Sequence, residues 1–114
     1  MKSFLVQPFH QRVHLATEVE ECVTKYNKHC GQLEKMTVKE LQKCRGMAIH
    51  LDESKPLFMI YVPHDVSHGT LFHECLHMTH FIMQFSSAPI TLESTEIQAY
   101  MMENIAENIR KKLK

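Results

Sequence analysis

The stretch FHECLHMTHF, residues 72–81, carries the pattern H-E-x-x-H. On a helix, His73 and His77 fall about 40° apart on successive turns, so both imidazoles reach one metal ion, with Glu74 beside them as a carboxylate that can accept a proton. His80 and Gln84 share that arc. The opposite side reads Leu71, Phe72, Cys75, Thr79, Ile82 and Met83, a core-facing stripe, and Glu74 is the only charged residue between Thr70 and Phe85. A solvated helix face usually favours Lys, Glu and Arg, so this sorting of histidine to one side points to ligation rather than to solvation. Cys75 lies about 160° from the histidine arc and is not a co-ligand.

A catalytic zinc site takes three protein ligands and keeps one position for water. In a metzincin the next positions would hold Gly and His; here they are His80 and Met83, which excludes that pattern. A carboxylate from the following segment, TLESTEIQAYMMENIAENI, is the remaining source, with Glu93, Glu96, Glu103 and Glu107 as candidates. Helical spacing aligns Glu96, Tyr100, Glu103 and Glu107 on one stripe, opposite an apolar side of Ile97, Met101, Ile105 and Ile109, and by periodicity alone that stripe is equally a solvent face. Glu103 and Glu107 read as solvent-facing. Glu96 stands in the first turn, where the chain has just returned from the histidine helix.

GTLFHECLHMTHF followed by STEIQAY resembles the small phage-encoded zincins, minimal relatives of the gluzincin metallopeptidases, which carry an HExxH helix and then an ExxAY helix. The resemblance spans roughly residues 46–105, including the IYVP strand end before the motif, and more loosely the N-terminal strand and helix. It implies Zn2+ held by His73, His77 and Glu96, with Glu74 as the catalytic carboxylate. Larger gluzincins add a second lobe that closes the substrate cleft and often supplies an oxyanion-stabilising residue, for which this chain has no room. Tyr100, one turn after Glu96, is either an electrophilic helper or a packed structural tyrosine. His64, His68 and His80 read as surface or supporting residues.

The elements that must position these groups can be read along the chain. Residues 12–16 suit a strand. Thr17 to Glu20 forms a capping-box pattern, and Val19, Cys22, Val23 and Tyr26 follow at helical spacing until Gly31. Residues 32–45 are ambiguous, with Thr37 and Glu40 suggesting a short helix that ends near Gly46. MAIHL (47–51) and LFMIYV (57–62), separated by DESKP, suit a hairpin. The histidine helix starts at Ser67 or Thr70 and runs to Phe85; SSAPI interrupts, and the last helix runs from about Ser94. The expected fold is α+β, a single minimal zincin domain over residues 1–114, with the exposed edge of its small sheet at 57–62.

Thirteen basic residues balance thirteen acidic ones, which argues against nucleic acid as partner, and the terminal RKKLK complements a helix C-terminus. MKSFLVQPFHQ is too short an apolar run for a signal peptide, and no eighteen apolar residues follow one another, so the expected location is the cytoplasm, that of a host if the chain is phage-encoded, without membrane contact. Cys22, Cys30, Cys44 and Cys75 contain no C-x-x-C pair and suit buried thiols. The functional expectation is a zinc metallopeptidase acting on a peptide or protein; the alternative is a zinc-binding interaction protein that docks on a host protein without turnover.

Overall fold

A computed structural model describes residues 1–29 and 36–114 of the chain. Gly31, expected to stop the first helix, and Cys30 lie outside the described residues. The architecture is α+β: strands β1 (Lys2–Val6) and β2 (Gln11–Ala16), helices α1 (Val19–His29) and α2 (Val38–Gln42), strands β3 (Met47–Asp52) and β4 (Leu57–Tyr61), and helices α3 (His68–Phe85) and α4 (Thr95–Leu113), the last entered through a 3-10 turn at Leu92–Ser94.

The strands form one mixed sheet in the order β1-β2-β4-β3. β1 runs antiparallel to β2, β2 parallel to β4, and β4 antiparallel to β3. Because side chains alternate along a strand, the register sorts two cores. Phe4 and Val6 of β1, Val13 and Leu15 of β2, and Phe58 and Ile60 of β4 support Leu71, Cys75, Met78 and Ile82 of α3 and Met101, Ile105 and Ile109 of α4. On the other face Ala16, Met59 and Tyr61 meet Cys22 and Val23 of α1 and Leu41 of α2. The sheet is thus sandwiched between a small helical layer and the two helices that carry the motifs.

β1 is absent from the sequence reading. Its alternation of Phe4 and Val6 is short, and it becomes a strand through pairing with β2, in register Phe4↔Val13, and through contacts with α4: the Lys2 Nζ donates to Lys112 O at 2.7 Å. The exposed edge also moves. Residues 57–62 are central, flanked by β2 and β3, and among the described residues the free edge beside α3 belongs to β3. Phe58 to Val62 are all buried, and a run apolar on both faces belongs to a strand covered on both faces, whereas every residue of β3 is half-exposed.

Local caps explain the helix starts. α2 has the Thr37/Glu40 capping box, with Glu40 N donating to Thr37 Oγ1 and Thr37 N to Glu40 Oε2, both at 3.1 Å. At α1 the reciprocal contact sits one residue later than the Thr17–Glu20 pattern suggests: Glu18 N donates to Glu21 Oε1 at 3.4 Å. α3 is capped by Ser67, whose Oγ accepts from Thr70 N at 3.2 Å. Among the described residues no helix is long and apolar enough to cross a membrane.

Candidate metal centre

The α3 backbone brings His73 and His77 together on its exposed side, with their Nε2 atoms 3.2 Å apart. Two nitrogens each about 2.0–2.1 Å from a tetrahedral zinc would stand about 3.3 Å from one another. The separation therefore suits shared ligation of one ion as well as it suits an N–H···N hydrogen bond between neutral rings.

Glu74 is buried, at 8% exposure, rather than at the exposed rim that helical geometry suggests. The cause is the segment that leads into β3: Gly46 lies so near that a Cβ there would stand 3.1 Å from Glu74 Cγ. Among the described residues the Glu74 carboxylate has neither a hydrogen-bond nor an ion-pair partner within bonding distance. The Glu74 side chain is buried as a whole, while its carboxylate oxygens keep access to solvent. It lines a cleft of about 470 Å³ together with His73, Thr70, Ser67, Gly46 and Arg45. Arg45, exposed and without an ion-pair partner among the described residues, is the cation of this cleft. The sequence reading passed over it; its signal is the Arg-Gly pair immediately before a strand.

A second cleft, of about 480 Å³, lies farther along the seam between β3 and α3 and is lined by Ala48, Ile49 and His50 on one side and Phe81, Gln84 and Phe85 on the other. His50 stacks on Phe58 with centroids 4.6 Å apart and meets Phe85 edge-on at 5.5 Å. His77 and Phe81, 6.5 Å between centroids and 25° between planes, link this aromatic cleft to the histidine pair.

The other expected site residues are not gathered with the pair. Glu96 and Tyr100 both point to solvent from α4, Tyr100 at 54% exposure, and no group of three His, Cys, Asp or Glu side chains that could hold a metal forms among the described residues. Glu103 and Glu107 are exposed, as the periodicity suggests. His80 is committed elsewhere: its Nε2 lies 3.1 Å from Gln98 Oε1, while the Gln98 amide donates to Thr91 O and Ser94 Oγ, fastening α3 to the start of α4. His68 Nδ1 accepts from Arg110 at 2.8 Å, and His64 is 3.9 Å from Glu18. Cys75 is fully buried in the core beneath α3, away from the exposed side that carries His73 and His77, and burial pushes its thiol up to about 12. Phe72 departs from the core stripe to which periodicity assigned it and is 42% exposed, as is Ile97 on α4; the interior gains Met78 on α3 and Ala106 on α4, while Met101, Ile105 and Ile109 are buried as expected.

Compared with known proteins, the chain matches no family model, no curated sequence and no solved structure.

Proposed function

We propose that the chain is a minimal zincin, a zinc-dependent peptidase that hydrolyses peptide bonds. One observation carries the reading: two imidazole nitrogens at the spacing of shared zinc ligands stand on the same helix as a carboxylate that has no partner among the described residues, and His73 and Glu74 open onto one cleft. His73 and His77 would hold the ion; Glu96, the third ligand that the resemblance implies, is exposed on α4 and not gathered with them. When bound, zinc supplies Lewis acidity to a carbonyl and lowers the pKa of water. Glu74 accepts the proton of the attacking water and delivers it to the leaving amine as the C–N bond breaks, so that the carboxylate is regenerated. Arg45 offers a positive charge to an anionic group at the same mouth, and Tyr100 is retained as a candidate helper. The free edge of β3 can hold an extended peptide by main-chain hydrogen bonds beside α3.

A second reading, a zinc-binding protein that docks on a host protein without turnover, draws on the exposure of Tyr100 and Glu96. Glu74→Gln separates the two. It keeps the size of the side chain but removes the proton acceptor, so a peptidase loses turnover while fold and zinc content persist. The assay follows new N-termini by mass spectrometry after incubation with an unfolded protein and with host lysate. Equal cleavage by wild type and variant rejects the role of Glu74, and cleavage by neither selects the binding protein.

A further inference from the structure

Phe72 and Leu76, one helical turn apart on α3, are 42% and 39% exposed. Opposite them α4 presents Ala99, Met102 and Ala106, at helical spacings of three and four, and the two helices enclose a groove of about 320 Å³ lined by Phe72 and these three residues. The end of the groove is fastened by Arg110, whose guanidinium lies 5.2 Å over the Phe72 ring and donates to His68 Nδ1 at 2.8 Å. Arg110 keeps its positive charge in that contact, at one end of the groove. Glu103 and Glu107, which complete the wall, have no cation within 4.0 Å among the described residues. An apolar floor is therefore bordered by two carboxylates against one guanidinium, a net negative rim.

We propose that this groove is a docking surface for an amphipathic helix of a partner protein that carries Lys or Arg beside its apolar stripe. The volume lies at the small end of ligand pockets, roughly 300–1,000 Å³, and suits one or two anchor side chains spaced by a helical turn. The acidic border selects a basic partner and repels an anionic membrane surface. A second copy of this chain is a poor occupant. Glu103 and Glu107 lie at the middle of Thr95–Leu113, so a two-fold pairing of α4 with itself would bring four carboxylates together. The groove is turned about 100° to 140° around α3 from His73 and His77, so docking leaves the histidine pair free and does not depend on its chemistry.

The test uses the full chain labelled with 13C at the methionine methyls and two designed helical peptides with the same leucine stripe, one flanked by lysine and one by glutamate. The expected result is a shift of the Met102 methyl with the Leu/Lys peptide, while buried Met59 stays in place, and binding at least tenfold weaker for the Leu/Glu peptide. Glu103→Lys combined with Glu107→Lys should invert that preference. Ala99→Arg, at an exposed position, should abolish the Met102 shift without moving Met59. The same behaviour is expected in His77→Ala, where the metal reading plays no part. Equal binding of both peptides, shifts away from Met102, or concentration-dependent self-association that moves Met102 without peptide would each overturn the proposal.

Discussion

Gly46→Ala probes the close approach that buries Glu74. The new Cβ would stand 3.1 Å from Glu74 Cγ, 3.2 Å from Thr70 Cγ2 and 3.3 Å from Tyr61 O, where ordinary contacts are 3.4–4 Å. Two of these neighbours are constrained: Tyr61 O is β4 backbone, and Thr70 Oγ1 accepts from Ser67 Oγ at 3.1 Å. Glu74 must give way. Such overpacking costs about 1–3 kcal/mol. Gly46 does not have a positive φ, so alanine is unstrained there and recovers about 0.4–1 kcal/mol through the unfolded state. The net expectation is a loss of about 1–2 kcal/mol, or roughly 4–8 °C in Tm for a domain of this size. Gly69→Ala is the control: nothing lies within 4 Å of its Cβ, and it begins a helix, so stability should rise by about 0.5 kcal/mol. Urea denaturation of both variants, with peptide cleavage measured in parallel, reads the difference. If Gly46→Ala is as stable as wild type or moves with Gly69→Ala, the chain does not close on Glu74 as described.

Zinc at about 100 times its Kd should stabilise the wild type by about 2.7 kcal/mol, on the order of 10 °C or more, and His73→Ala or His77→Ala should remove that rise in a thermal scan. Glu96→Ala should weaken zinc affinity at least about tenfold, whereas Glu103→Ala should leave it unchanged by calorimetric titration; the opposite ranking would reassign the third ligand. Of the three described cysteines, exposed Cys44 should react first with a thiol reagent. Cys22 and Cys75, both pushed up to about 12 by burial, should be modified only after unfolding, as followed by peptide mapping.

What the sequence determined by itself is local. Helical periodicity places His73 and His77 on one face because residues four apart always meet on adjacent turns, whatever surrounds the helix. The Thr37/Glu40 box, the hairpin and the extent of α3 follow from side chains that bond to their own backbone or alternate at a period of two. Tertiary structure decided the rest. Pairing with β2 makes β1 a strand and places 57–62 in the middle of the sheet, since strand order depends on which edges meet and not on any single run of residues. The same holds for Glu74, which helical geometry leaves at the rim and which the segment at Gly46 buries. Phe72 shows the converse. Its type and spacing suit a core, but the seats beneath α3 are filled by Leu71, Cys75, Met78 and Ile82, and the packing of α4 beside it leaves the ring as one wall of a groove.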